Sequence, residues 1–179
     1  MTVILMRHGQ DEQGYRGGWS SQGLTALGRE QVAKTAESLT QLMIDQMISS
    51  DLLRALETAD IIAKKCQLSF SVDSDLREIN NGDLSGLDNQ LAEKWYPGLY
   101  YNTLSYQEAY PNGESPADFF KRVSRFYDKL KTMDQTVLII THGGVINALY
   151  CFNKQIPHTN KYQEISLEHG EYLIIEIGD

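Results

Sequence analysis

Two histidines stand at corresponding places in this chain. Arg7-His8-Gly9 follows directly on the apolar run Val3-Ile4-Leu5-Met6, and Thr141-His142-Gly143-Gly144 follows on Val137-Leu138-Ile139-Ile140. Each run reads as a buried strand, and the carboxyl ends of such strands are where α/β enzymes carry out chemistry. An imidazole attacks or moves protons, and a guanidinium beside it is a planar fork for an anion. Either short motif alone is weak. Their recurrence in matching contexts predicts one site built from two strand exits.

The elements that must position these groups are legible from periodicity. After the first strand, a Gly-rich polar loop over 9–23 leads to Leu24, Leu27, Val32, Ala36, Leu39 and Met43, spaced as on an amphipathic helix with Thr25 as its N-cap. Residues 47–50 read as a second strand and 51–65 as a second helix, with Leu52, Ala55, Leu56, Ala59 and Ile62 at helical spacing. A third strand is predicted over 68–72, then a loop rich in Asp, Asn and Gly over 73–86. Ser115-Pro116-Ala117-Asp118 carries the signals of a helix start, and Phe119, Phe120, Val123, Phe126, Tyr127 and Leu130 form the expected core face of a helix to about residue 131. The fourth strand is predicted over 136–140, with a helix after Gly143. Residues 164–167 and 172–177, alternating around His169-Gly170, are expected to form an antiparallel edge hairpin. Strands alternating with helices predict an α/β fold, a three-layer α/β/α sandwich around a mainly parallel sheet with an antiparallel edge.

Length and charge narrow the functions. A chain of 179 residues suits one domain, 1–179, with a Tyr-rich insertion at about 95–114. Net charge is −8 and no run of Lys or Arg is dense, which argues against nucleic acid and against an anionic membrane as partners. Cys66 and Cys151 have no metal or redox spacing and fit reduced thiols, so the cytoplasm is the expected compartment. No apolar stretch is long enough to span a bilayer, and no export signal is evident. Oligomeric state is not readable.

Two further segments lie between the histidine motifs. One is Ser50-Asp51-Leu52-Leu53-Arg54-Ala55-Leu56-Glu57-Thr58-Ala59, and the other is Leu76-Arg77-Glu78-Ile79-Asn80-Asn81-Gly82-Asp83-Leu84-Ser85-Gly86. Taken in order, Arg-His-Gly, Ser-x-Leu-x-Arg-Ala-x-x-Thr-Ala, Leu-x-Glu-Ile-x-x-Gly-x-x-x-Gly and Thr-His-Gly-Gly resemble the histidine phosphatase (phosphoglycerate mutase-like) superfamily, over residues 3 to about 150. The resemblance implies a phosphohistidine mechanism. His8 is then the nucleophile, Arg7, Arg54 and His142 surround the phosphoryl group with the Gly143 amide as a further donor, and Glu78 is the proton donor.

Elementary chemistry agrees with those roles. A phosphoryl group in transfer spreads charge over its oxygens, so positioning and fixed positive charge supply most of the catalysis. Charge-assisted hydrogen bonds worth about 1.5–3 kcal/mol each make such a pocket without metal or other cofactor. Crowded cations lower the His8 pKa, and a backbone carbonyl is expected to fix its other nitrogen. Gln10, Arg16 and Trp19 resemble substrate-facing positions of the family. Arg77, His158 and His169 read as surface residues.

Many members of the family carry Thr or Ser two residues after Arg-His-Gly and an Asn a little later. Here Asp11, Glu12 and Gly14 occupy that stretch. Between Lys94 and Lys121 there is no Lys or Arg to hold a second anionic group, whereas Trp95, Tyr96, Tyr100, Tyr101, Tyr106 and Tyr110 are present. The balance favours a monophosphatase acting on a small phosphorylated metabolite, sugar-like or nucleoside-like, such as a ribazole phosphate. A mutase-type phosphotransferase and a non-catalytic binder of phosphorylated ligands are the alternatives.

Overall fold

Alternate residues of the central strands point to opposite faces of the sheet, and each face is covered by its own helices. In the computed structural model, which describes residues 1–178, β1 (Thr2–Arg7), β2 (Gln46–Ser49), β3 (Phe70–Val72), β4 (Val137–Thr141) and β5 (Tyr172–Glu176) form one sheet ordered β3-β2-β4-β1-β5. The pairs β2/β3, β2/β4 and β1/β4 are parallel, and β5 runs antiparallel to β1 at the edge. Val3, Leu5, Val137 and Ile139 enter a core with α4 (Pro116–Leu130) and α5 (Gly143–Lys154). Ile4, Met6, Leu138 and Ile140 enter another with α1 (Ala26–Leu39) and α2 (Leu53–Cys66). This is the three-layer sandwich expected from the alternation of elements.

The helix starts follow their local chemistry. The Thr25 hydroxyl accepts from the Gly28 amide at 3.0 Å, capping α1. At α4, Ser115 and Asp118 form a reciprocal capping box with Pro116 in the first turn. Phe119, Phe120, Val123, Phe126 and Leu130 are buried as predicted, and Tyr127 packs at the margin of that core.

Several boundaries differ from expectation. The buried stripe of α1 is Gly28, Val32, Ala36 and Leu39; Leu27 is half exposed, and Met43 lies beyond the helix end, 89% exposed. The expected edge hairpin does not form. Residues 164–167 are not a strand because their backbone is satisfied otherwise: the Asn147 side-chain oxygen accepts from the amides of Glu164 and Ile165, and the Leu167 carbonyl accepts from Arg7. A short α3 (Asn89–Trp95), capped by Asp88, precedes the irregular Tyr-rich stretch, and two 3₁₀ turns (Ser74–Leu76 and Gly82–Leu84) interrupt the predicted loop. Both cysteines are free. Among the described residues no helix is long and apolar enough to cross a membrane.

What matters for the site is register. Arg7 pairs with Thr141 in the central parallel ladder, and the His8 amide donates to the Thr141 carbonyl at 3.0 Å, so the two histidine motifs leave neighbouring strands side by side. The loop after His8 lies against the first turn of α1 so closely that a Cβ on Gly28 would stand 2.1 Å from the Gln10 carbonyl oxygen. Ala is favoured over Gly in a helix by about 1 kcal/mol, but overpacking against backbone costs about 1–3 kcal/mol. Gly28→Ala is therefore expected to lower the urea midpoint of unfolding. A midpoint equal to or above wild type would show that this close approach does not hold the loop.

Candidate active site

His8 is the centre of a cleft of about 430 Å³ at the carboxyl ends of the parallel strands. Its Nδ1 lies 2.7 Å from the Gly9 carbonyl, which must accept, so Nδ1 carries the proton and Nε2 a lone pair. Arg54 Nε donates to that Nε2 at 3.3 Å. Arg54 is itself buried at 2% exposure, and its other nitrogens donate to the Gly18 carbonyl at 2.8 Å and the Ser20 hydroxyl at 3.3 Å. The first turns of α2 thus hold both the guanidinium and the loop after His8. Thr58, one turn on, donates to the Arg54 carbonyl and accepts from the Gly9 amide at 3.1 Å.

His142 sits beside His8, the ring centroids 5.0 Å apart. Its Nε2 is 2.9 Å from the Ser50 hydroxyl, and its Nδ1 is buried without a protein partner. Arg7 Nε is another such atom, while the rest of that guanidinium donates to the Leu167 carbonyl at 2.7 Å and contacts His169 Nε2 at 2.9 Å. An unpaired buried donor costs about 1–3 kcal/mol, which an anion lodged between such groups would recover. Gly143 opens α5 and lines the cleft with Arg7, so the first helical amides lie at its wall.

Glu78 forms the opposite wall. Its carboxylate accepts from the Gly144 amide at 3.0 Å and from its own neighbour, the Ile79 amide, at 3.0 Å. Gly144 has to be glycine for this approach, since a Cβ there would lie 2.4 Å from Glu78 Oε1. The Glu78 carbonyl accepts from Trp19 Nε1 at 2.8 Å and from Arg122 at 3.1 Å. Arg122, buried on α4, also donates to the carbonyls of Asp75 and Arg77 at 2.8 Å and pairs with Glu114 at 2.7 Å. One guanidinium therefore ties the Glu78 loop to α4 and the core beneath it.

The structure gives other positions to several residues picked out from the sequence. Gln10 turns toward α1, its side-chain oxygen accepting from Thr25 at 2.9 Å, and does not line the cleft. Arg16 stacks over the Tyr100 ring at 4.0 Å and lies 3.6 Å from Glu93, also away from the cleft lining. Trp19 supports Glu78 from behind. Arg77 is no free surface charge, because it makes a bidentate pair with Asp51 at 2.6 Å and stacks over Trp19 at 4.4 Å. His158 packs against Phe120 and Phe152. His169 lines the cleft, 5.4 Å from the His8 ring and 3.8 Å from Asp11.

Asp11, Glu12 and Gly14 all line the cleft, and the Asp11 carboxylate is 3.7 Å from Arg54 Nε. The sequence signal for the supporting residues was partial. Ser50 and Thr58 lie inside the second motif, and Arg122 stands within the buried stripe of α4, where an arginine demands partners. His169 carried no signal; it reaches the site because the Gly170 amide donates to the His8 carbonyl at 3.0 Å where β5 joins β1.

Comparison with known proteins gives the family. The family model described as "Histidine phosphatase superfamily (branch 1)" matches residues 3–179. A 2,3-bisphosphoglycerate-dependent phosphoglycerate mutase of Bartonella henselae is 36% identical over 162 residues, covering 83% of this chain and 79% of that protein. A glucosyl-3-phosphoglycerate phosphatase of Mycolicibacterium vanbaalenii is 33% identical, covering 88% and 76%. The crystal structure of the alpha-ribazole phosphatase from Shigella flexneri superposes with a TM-score of 0.88 at 28% identity, covering 99% of this chain and 91% of that one.

Burial is the main cause holding the His8 imidazole well below its ordinary pKa; Arg54, Arg7 and His169 add to it and the Gly9 carbonyl opposes. His142 is held well below as well, by burial first and then by Arg54 and His8. Both rings are neutral in the folded protein, while in the unfolded chain they take up protons near the ordinary value of about 6.5. Because the folded values are depressed, the effect on stability is absent above about pH 6.5. Below it, stability falls by about 1.4 kcal/mol per pH unit per group until the folded pKa is reached. Urea unfolding between about pH 7 and pH 5 should show this loss, and His142→Asn should flatten it. Equal pH slopes in the two proteins would contradict the assignment.

Proposed function

Since the chain belongs to the histidine phosphatase superfamily (branch 1), we propose that it is a phosphomonoester hydrolase acting without metal through a phosphohistidine on His8. The observation that carries this reading is the fixed state of that imidazole, with Nδ1–H on the Gly9 carbonyl at 2.7 Å and the Nε2 lone pair beside Arg54. Nε2 attacks phosphorus in line with the leaving oxygen, and Arg7, Arg54 and the Gly143 amide hold the equatorial oxygens. With the Ser50 hydroxyl donating to its Nε2, His142 presents Nδ1–H as a further donor. Glu78 protonates the departing alkoxide, then takes a proton from the water that cleaves the phosphorus–nitrogen bond, releasing phosphate and neutral His8.

The cations outside the cleft favour hydrolysis over transfer to a second phosphorylated group. Lys161 is committed to the carbonyls of Asn102 and Leu104 at 3.0 and 2.6 Å, and Arg16 lies over the Tyr100 ring, 3.6 Å from Glu93. Beside the cleft, sharing Gly144 and Gln163 with it, lies a cavity of about 350 Å³ whose walls include Tyr100, Tyr101, Asn147 and Tyr162. Aromatic faces and side-chain amides suit a neutral sugar or a flat heterocycle. A small phosphorylated metabolite of the sugar or nucleoside class is the substrate this arrangement favours. The activities of the alpha-ribazole and glucosyl-3-phosphoglycerate phosphatases support that class.

Rapidly quenched enzyme should carry acid-labile phosphate that His8→Ala lacks, and chelator should not reduce the rate. Phosphate retained at another residue, or near-normal turnover by His8→Ala, would refute the mechanism. Transfer of the phosphoryl group to an added phosphoglycerate in preference to water would establish a mutase instead.

Glu78 is tested separately through the leaving group. General acid catalysis contributes about 10²–10⁴-fold, and a nitrophenolate has little need of it. Glu78→Gln is expected to lose that factor on an alkyl phosphate and much less on nitrophenyl phosphate, with phosphoenzyme formation limiting. Gly144→Ala, which displaces the carboxylate while leaving it present, should show the same selectivity in weaker form. Equal losses on both substrates would mean that Glu78 does not donate the proton.

A further inference from the structure

The cleft contains a cluster of metal-ligating groups that shares only His8 with hydrolysis. One nitrogen of His8, one of His169 and one oxygen of Asp11 all lie within 4.8 Å of one another. We propose that these three side chains form an inhibitory site for a borderline-soft divalent cation, zinc being the best match, whose binding takes His8 out of phosphoryl transfer. The metal does not participate in the reaction; it competes with it. The inhibitory half of the proposal rests on His8 being the nucleophile, whereas the binding half does not.

The donors suit zinc. Two imidazoles and one carboxylate, with a fourth position open to water in the cleft, are a three-ligand set in which zinc is held at about 2.0–2.2 Å. Tetrahedral geometry at that length places donor atoms roughly 3.4 Å apart, so rotations moving each tip by about an ångström close the triad. His169 Nε2 and Asp11 Oδ1 already stand 3.8 Å apart. Metal-binding histidines are commonly oriented by giving their other N–H to a carbonyl, and the Gly9 carbonyl does this for His8. Magnesium and calcium prefer sites made of oxygen, so two nitrogen donors out of three select against them.

Charge permits a cation here despite the arginines. Two guanidinium groups, Arg7 and Arg54, line the cleft against three carboxylates, Asp11, Glu12 and Glu78. Asp11 is the decisive one, standing where the family pattern has a hydroxyl residue. Binding displaces the contact of Arg54 Nε with His8 and that of Arg7 with His169. Both arginines keep an anchor elsewhere, Arg54 on the Gly18 carbonyl and Arg7 on that of Leu167.

The test is a titration of metal-free protein with cobalt(II), whose tetrahedral complexes absorb strongly in the visible, followed by displacement with zinc. One equivalent is expected to bind. His8→Ala, Asp11→Asn and His169→Gln should each weaken binding by at least about tenfold. Circular dichroism checks that these variants fold. On the unmodified protein, vanadate bound at His8 should exclude cobalt, which keeps the test decisive if a variant misfolds. In turnover of nitrophenyl phosphate, zinc should inhibit competitively and reversibly with chelator, and magnesium at the same concentration should not. Absence of the visible bands, wild-type affinity in Asp11→Asn or His169→Gln, or independent binding of cobalt and vanadate would overturn the proposal. The titration measures no turnover, so an enzyme that binds no cobalt yet forms phosphohistidine refutes the metal site alone. One that binds cobalt but hydrolyses nothing refutes the hydrolase reading alone.

Discussion

The pairing of β1 with β4 is the constraint on which the rest of this molecule depends. Two buried parallel strands in the register Arg7 to Thr141 end together, and everything chemical in the chain is arranged around those ends. A one-residue slip would invert the side chains of β1, moving Ile4 and Met6 into the wrong core and Arg7 away from the cleft. Packing on both faces forbids that slip. The position of His8 is therefore set by hydrophobic burial several ångströms away, and the hydrogen bonds at the ring only refine it.

The opposite wall is built differently. Glu78 lies on a loop with no regular ladder, so its backbone needs external partners. Arg122 and Trp19 supply them, and Glu114 balances the buried guanidinium. The loop reaches the precision of a strand end because a charged side chain takes the place of a second strand. Removing Glu114 while keeping Arg122 would leave a cation buried without its counterion, the costly half of such a pair.

The fold was largely legible from the residues, and the reason is periodicity. Strands buried on both faces appear as continuous apolar runs, and α4 announced both its cap and its core face. The residues gathered at the cleft were legible for a different reason: they stand in short motifs directly after strand ends or at helix starts, which the ladder brings together. What escaped were contacts between distant segments. His169 has no local pattern and comes to His8 only through the β1–β5 pairing. Gln10, Arg16 and Trp19 sit in a loop whose side chains choose direction by packing against α1, α3 and Arg77, none of which periodicity describes. The expected hairpin failed because Asn147 and Arg7, far away in sequence, satisfied the backbone that a partner strand would otherwise have paired.

The topology has a consequence for the life of the chain on the ribosome. β1 is an interior strand of the sheet, yet its partners β4 and β5 are made after the other strands, Val3 meeting Val137 across 134 positions of sequence. At elongation rates of about 5–20 residues per second, the apolar segment ahead of His8 waits on the order of ten seconds for its neighbours. During that interval it is an unpaired strand with exposed Val, Ile, Leu and Met, which is the kind of segment that holding chaperones retain. The same delay means that no nascent form of the protein presents a complete cleft before β5 has been made.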